Sequence, residues 1–397
     1  MSGDGAARDA PGLLPTALAL ALAAAVSLGL ARFAYALLLP PMHADLGWRY
    51  LTAGLMNTAN AAGYLAGALL TPLLLRRIDA RALMLAGGAG SAVLLAAHGA
   101  VTGDLALGLF RTLSGATSAA SLVAGAVLAA RLAGEAGAGR GGLVLGLYYG
   151  GTGLGIVAAA WIVPPLTQLD RPHAWQTAWW AIGAVAAIAT WLTARGTRAL
   201  HAPPLASAPR VPFRRRAFAP ALVAYLMFGI GYIGYMTFIV TLLRAQGLGP
   251  GQVVAFYTLL GVGVVASSWL WAGLLQRHRG GVPMALLNGL LALATALPVL
   301  GSGTVVVFVS GALFGSVFLS LVASTTALVR HNLPPAAWAG GIAVFTIVFA
   351  AGQIVGPGLV GLIADGPGGL ERGLLASAVA LALGSAAGAL QRPLRSG

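Results

Sequence analysis

The chain contains no cysteine. That absence excludes disulfides, thiolate nucleophiles and cysteine-bound metals. It contains no lysine either, because all 23 basic residues are arginine. A Schiff base or a lysine-ended phosphate loop therefore has no residue to use. Charge of any kind is scarce, at 8% of residues, against about 25% in a soluble domain. The nine acids (Asp4, Asp9, Asp45, Asp79, Asp104, Glu135, Asp170, Asp365 and Glu371) all fall in loops, tails or the ends of apolar runs. No run alternates in polarity over about ten residues, which excludes a membrane barrel. The histidines have no zinc-like spacing. His98 reads as a structural residue near a span end, and the others lie in loops. No nucleophile elbow, nucleotide loop or dinucleotide fingerprint occurs. No cofactor, no metal and no covalent catalysis are expected.

What fills the chain is apolar sequence: 58% of it is hydrophobic, with Gly 57. Twelve runs are long enough to cross a bilayer, for which about 20 residues suffice. They cover 13–39, 51–75, 82–101, 104–130, 141–165, 175–194, 217–243, 252–275, 282–300, 303–329, 340–363 and 370–391. The expected fold is an all-α polytopic membrane protein with both ends on one side. The leader carries Arg8 against Asp4 and Asp9, so it has no basic region of the kind that opens a cleaved signal peptide.

The net charge of +14 could point to nucleic acid. The distribution of arginine argues against that partner. With the N-terminus inside, 17 arginines lie on the inner side and four (Arg49, Arg171, Arg244 and Arg372) on the outer. This is the positive-inside signature, and it places both termini in the cytoplasm. Only Arg32 and Arg111 remain within spans.

The longest loop, Arg195–Arg216, holds Pro203, Pro204, Pro209 and Pro212 and six arginines. It divides the chain into a six-span half at 1–195, a basic linker at 196–216 and a second six-span half at 217–397. The linker's charge suits an anionic leaflet. The halves look related. A shift of about 200 residues lays Gly29, Arg32 and Tyr35 over Gly229, Tyr232 and Tyr235, and Gly115 over Gly315. It also lays Leu74-Leu75-Arg76-Arg77 over Leu274-Leu275-Gln276-Arg277. Two parallel repeats point to a transporter with its site between them, near the midplane.

Leu107 to Gly115 reads LGLFRTLSG, which resembles the arginine motif L-x-x-x-R-x-x-[QS]-G of the major facilitator superfamily. The loops after spans two and eight resemble degenerate copies of that family's G-x-x-x-D-R-x-G-R-R gating motif. Arg77 and Arg81 keep basic positions; the motif's Asp falls on Arg76 and on Gln276. Gly352-Gln353-Ile354-Val355-Gly356-Pro357 in span eleven resembles the family's bending motif G-x-x-x-G-P. Span five, where drug/proton antiporters carry it, has Gly151 and Gly155 without the proline. Arg32-Phe33-Ala34-Tyr35, Leu38-Leu39-Pro40 and the segment Asn60 to Gly67 resemble the YbfB/YjiJ branch. The resemblance covers nearly the whole chain. It implies two pseudo-symmetric six-helix bundles that rock about a central cavity lined by spans 1, 4, 7 and 10. It also implies residence in a bacterial inner membrane, as a monomer. Arg76, Arg77, Arg81, Arg277, Gly352, Gly356 and Pro357 are the expected gating or bending positions.

Arg32 and Arg111 each lie roughly 10–12 Å below the outer end of their span, at 1.5 Å per residue. An arginine at membrane depth costs from about 3 to over 10 kcal/mol unless it faces protein or water. With no acid at that depth, two guanidinium groups in low dielectric repel. They are expected to be hydrated, bonded to helix carbonyls, or paired with a bound anion whose geometry suits their forks. Asn57, Asn60 and Tyr64 form one stripe on span two, and Arg32 and Tyr35 share a face on span one. Tyr232 and Tyr235 on span seven, Tyr148 and Tyr149 on span five, Tyr257 on span eight and Gln353 on span eleven complete the expected substrate contacts.

The leading expectation is a secondary transporter of a small organic anion, coupled to protons or to a counter-anion. A proton-coupled efflux pump for drugs or metabolites is the alternative. A non-transporting sensor would be expected to append a signalling domain, for which tails of about twelve and six residues leave no room.

Overall fold

The computed structural model describes residues 12–137, 140–200, 215–301 and 303–394. Helices α1 to α6 span Leu13–Asp45, Tyr50–Leu74, Ala80–His98, Asp104–Glu135, Gly141–Thr167 and Ala174–Gly196. After a short 3₁₀ turn at Arg215–Phe218, α7 to α12 span Ala219–Ala245, Pro250–Arg277, Val282–Leu300, Thr304–Asn332, Pro335–Ala364 and Gly369–Ala389. Among the described residues there is no strand. These helices form the two pseudo-symmetric six-helix bundles. Most of the basic linker, residues 201–214, lies outside the described residues, as do Arg8 and Arg395.

Eleven of the helices are long and apolar enough to cross a membrane. Helix α2 falls short because it carries Tyr50, Thr52, Asn57, Thr58, Asn60 and Tyr64. It is long enough to span, and its polar side chains find partners in protein. Helix α4 overruns the expected end at 130 to reach Glu135, where an Arg131–Glu135 pair of 3.0 Å, one turn apart, supports the last turn.

The doubling seen in the sequence reappears in the contacts. Helices α1 and α7 both end on a left-handed glycine, Gly47 (φ 63°) and Gly247 (φ 89°). In each case the next amide turns back to a carbonyl five residues earlier: Trp48 to His43 at 3.1 Å and Leu248 to Leu243 at 3.0 Å. Close helix crossings repeat too. A Cβ on Gly63 would lie 1.8 Å from the Thr112 carbonyl, and one on Gly115 would lie 2.1 Å from that of Asn60. The α8–α10 crossing mirrors this: a Cβ on Gly315 would lie 2.2 Å from the Leu260 carbonyl. Gly151 and Gly155 seat α5 against α1, and Gly352 and Gly356 seat α11 against α7. Small residues let backbones approach where lipid offers no hydrophobic drive.

The described arginines of the loops after α2, α4, α8 and α10, the start of α1 at Leu13 and the end of α12 at Ala389 gather at one end of the bundle, called here the basic end. There Arg81 donates to the Ala194 carbonyl (2.6 Å) and Asn332 to that of Arg279 (2.7 Å). At the opposite end, Asp45 accepts from His173 and Trp175, and Asp104 accepts from the Trp48 indole at 2.7 Å.

Candidate functional site

Arg32 sits in an unusual stretch of backbone. Residues Ala25–Phe33 of α1 form a π-helix, closed by an Ala34 amide to Gly29 carbonyl bond of 3.0 Å. Such turns are rare and occur often at functional sites. Their looser winding also alters which side chains share a face. The sequence spacing places Arg32 and Tyr35 together, but here they diverge. The Tyr35 ring lies beneath the Arg111 guanidinium at 4.5 Å, and its hydroxyl donates to the Ala53 carbonyl at 2.9 Å. Arg32 points to another neighbourhood. It donates from Nη2 to Gln353 Oε1 at 2.9 Å and lies 5.4 Å from the centre of the Tyr64 ring. Arg32 is 3% exposed, and its Nε has no hydrogen-bond partner.

Arg111 is 1% exposed, yet each of its three nitrogens has a partner. Nε reaches the Met56 carbonyl (3.3 Å), Nη1 the Ala31 carbonyl (3.1 Å) and Nη2 the Asn57 Oδ1 (3.0 Å). The Ala31 contact sets Arg111 at the level of Arg32, as the depth count expects. Asn60 donates back to the Arg111 carbonyl at 3.1 Å. Thus the polar stripe of α2 divides. Asn57 and Asn60 hold Arg111, and Tyr64, a turn further on, underlies Arg32.

The second half presents rings where the first presents charge. Gln353 donates to the Tyr232 hydroxyl, so one chain of bonds runs from Arg32 across to α7. Tyr232 stacks on Phe228 (4.7 Å), Phe349 (5.5 Å) and Phe318 (6.0 Å), with ring planes within 28°. Phe318 also meets Phe33, beside Arg32, edge-on at 5.6 Å. Phe228, Phe318 and Phe349 were not singled out by the sequence, where three phenylalanines on three spans look like ordinary apolar residues. One signal was available: Phe349 and Gln353 are four residues apart and so share a face of α11.

The other expected contacts scatter. Tyr148 donates to the Leu122 carbonyl (2.6 Å) and is buried in the first bundle. Tyr235 stacks on Phe314 at 4.0 Å and bonds Ser310, inside the second bundle. Tyr257 donates to the Phe33 carbonyl at 2.7 Å, across the seam between halves. Tyr149 is 43% exposed and meets only the Tyr148 ring, edge-on at 5.0 Å, among the aromatic contacts of the described residues. Arg32, Gln353, Tyr232 and Tyr64 are therefore brought together.

Hydrogen bonds between the halves gather at the level of Arg32 and beyond it, toward the opposite end. Asn57 donates to Thr237 (2.6 Å) and Thr58 to the Ile354 carbonyl (2.7 Å). At the rim, Asp365 accepts the amides of Tyr50 (2.8 Å) and Leu51 (3.1 Å), the first residues of α2. A carboxylate at a helix N-terminus is favoured by the helix dipole. Outside this seal lies a cavity of about 270 Å³ lined by Pro40, Pro41, Gln168, Val240 and Arg244, among others.

The family model of the uncharacterised MFS-type transporter YbfB matches residues 24–389. The chain belongs to that family. It is a multi-pass membrane transporter of the major facilitator superfamily and not an enzyme. No curated protein matches it in sequence. Among solved structures, the transporter is similar to a bacterial homologue of the human lysosomal transporter Spinster, in an inward-facing, unoccupied conformation. The TM-score is 0.73 at 14% identity, covering 96% of this chain and 97% of that one. It is also similar to the nucleoside transporter NupG, with a TM-score of 0.71 at 16% identity over 94% and 98% of the two chains. At such identities the likeness speaks for the fold alone.

The transporter's expected gating residues differ in setting. Arg76, Arg77 and Arg277 are exposed at the basic end. Arg81 instead ties α3 to α6 within the first half, through Ala194 and through Thr197 Oγ1 at 3.2 Å. Asp79 caps α3 by accepting the amides of Arg81 (2.9 Å) and Ala82 (3.1 Å). In the bending motif, the Pro357 carbonyl lies 2.2 Å from where a Cβ on Gly54 would sit, so that crossing joins the two halves.

Proposed function

We propose that this transporter carries a small organic anion by alternating access, with Arg32 as the group that holds the cargo's charge. One observation carries the reading: Arg32 is 97% buried, its Nε is unpartnered, and the described acids all lie at helix ends or in loops. A guanidinium in that position is stabilised by the Gln353 carbonyl and the Tyr64 ring, both of them neutral. An anion entering beside it supplies the missing counter-charge and a partner for Nε, and charge-assisted bonds are roughly twice as strong as neutral ones.

Arg111 acts here as a positioning residue, since the Met56 and Ala31 carbonyls and Asn57 occupy it. The moving bodies are residues 1–195 and 217–397, joined by the linker at 196–216, in a bacterial inner membrane with both termini cytoplasmic. The basic end is then the cytoplasmic end. The bonds from Asn57, Thr58, Tyr257 and Asp365 close the periplasmic side, so the site opens inward in this conformation. Exchange against a second anion completes the cycle without a carboxylate at membrane depth.

Counterflow in proteoliposomes tests the reading. Purified protein is loaded with organic anions, cations, nucleosides or sugars. Uptake driven by anions and lost in Arg32→Gln is the expected outcome. Uptake of lipophilic cations with anions ignored would overturn it.

A further inference from the structure

We infer that the cargo is an aromatic monocarboxylate, whose ring stacks on the Tyr232–Phe349 wall while its carboxylate meets Arg32. The inference rests on the anion reading above and narrows it in two respects.

The first is the number of charges. Arg111 donates to the Met56 carbonyl, the Ala31 carbonyl and Asn57, so it has little left to offer a ligand. Of the two arginines, Arg32 keeps a buried nitrogen without a partner. One guanidinium with a free donor pairs one carboxylate directly. A second carboxylate would meet the Arg111 charge only across its shell of Met56, Ala31 and Asn57, and without a direct charge-assisted bond its desolvation would cost several kcal/mol. Gln353 Oε1, bonded to Arg32 at 2.9 Å, occupies the place of a carboxylate oxygen. Because that oxygen is neutral, an anion can displace it. The freed Gln353 amide and the Tyr232 hydroxyl are then on hand as donors to the same carboxylate.

The second is the shape of the remainder. The wall beside those donors is a set of near-parallel rings: Tyr232 against Phe349 at 16° and against Phe318 at 10°, and Phe228 against Phe349 at 15°. Phe349 is only partly buried and stands one helical turn from Gln353, on the basic side. From the first half, the Tyr64 ring lies 5.4 Å from the Arg32 guanidinium. A flat apolar group can extend this stack on the partly exposed side of Phe349, each offset ring contact contributing about 0.5–1.5 kcal/mol beyond area burial. An aliphatic or sugar-like remainder would gain none of this.

The test is competition and thermal shift on the full-length protein, with four probes: phenylacetate, cyclohexylacetate, phenylethanol and phenylmalonate. Phenylacetate is expected to bind about tenfold tighter than cyclohexylacetate, equivalent to 1.4 kcal/mol, and tighter still than the alcohol or the dianion. Phe349→Leu should reduce the ring preference to about twofold while cyclohexylacetate binding stays unchanged. Phe318→Leu serves as an independent second variant should the first fail to fold. Arg32→Gln should remove binding of both monoacids. Equal binding of phenylacetate and cyclohexylacetate would overturn the aromatic inference and leave the anion reading standing. Phenylethanol binding as tightly as phenylacetate, or no response to any acid, would overturn both. Tighter binding of phenylmalonate would overturn the single-charge argument.

Discussion

The two halves of this transporter share a framework and differ in what they turn toward each other. The loop glycines Gly47 and Gly247 and the crossing glycines Gly115 and Gly315 occupy equivalent places. The facing residues do not match. Arg32 stands where the second half has Tyr232. Arg111 stands where it has Gly311, against which the Phe256 ring packs, 2.6 Å from where a Cβ would sit. Asn57, which holds Arg111, stands where the second half has Tyr257. One half thus supplies a cation with its shell of carbonyls and amides. The other supplies rings and a neutral hydroxyl. The difference teaches that buried charge here is a property of one half, and that the proposed site needs both.

The sharpest way to break the comparison is at its centre. Arg32→Gln is expected to lower anion counterflow by about 100-fold or more, because removing one partner of a buried charge pair costs roughly 2–5 kcal/mol. Tyr232→Phe, the equivalent position, should lower it less than tenfold, since one neutral hydrogen bond is at stake. Comparable losses in both would mean that charge is not what distinguishes the halves.

A second contrast separates holding from binding. Arg111→Met removes the donor shared by Met56, Ala31 and Asn57 and is expected to cost about 3 kcal/mol of stability. A thermal melt would show it. A variant that melts normally but fails to transport would move Arg111 from scaffold to ligand. The third concerns the rim. Asp365→Asn weakens two charge-assisted bonds to the start of α2 and should favour opening of that side by about 1–3 kcal/mol. Since the chain has no cysteine, a single Val240→Cys reports that opening directly through faster maleimide labelling. Unchanged labelling would make the Asp365 contact incidental. The smallest expected difference is between Gly151→Ala and Gly352→Ala. A Cβ there meets the Ala21 carbonyl at 2.0 Å and the Leu226 carbonyl at 2.5 Å. Each should cost about 1–3 kcal/mol by overpacking, within about 1 kcal/mol of the other. A large disparity between their melts would show that the frameworks are less alike than their contacts.

Much of this was legible because charge is so rare in the chain. Arg32 and Arg111 stand out in apolar runs, and the alternation of basic loops orders the spans. The stripe of Asn57, Asn60 and Tyr64 follows from helical periodicity. Other features had no local signal. The bond from Arg32 to Gln353 joins residues 321 apart in the chain, and Asp365 reads as an ordinary loop acid until the start of α2 is brought beside it. The π-helix leaves no periodic trace, so the shared face expected for Arg32 and Tyr35 was computed on the wrong winding. The ring wall is assembled from α7, α10 and α11, each contributing residues that are unremarkable alone.

The paired glycines set how closely neighbouring helices lie, and they do so behind the central face. On the proposed reading, spacing and cargo chemistry are written in different residues. A chain built from two copies of one half could change what it carries by substitution at the positions of Arg32, Arg111, Tyr232 and Gly311, while insertion and assembly stay as they were. Asymmetry of that kind is inexpensive to acquire: a few side chains at the seam are enough to turn a doubled scaffold into a polarised one.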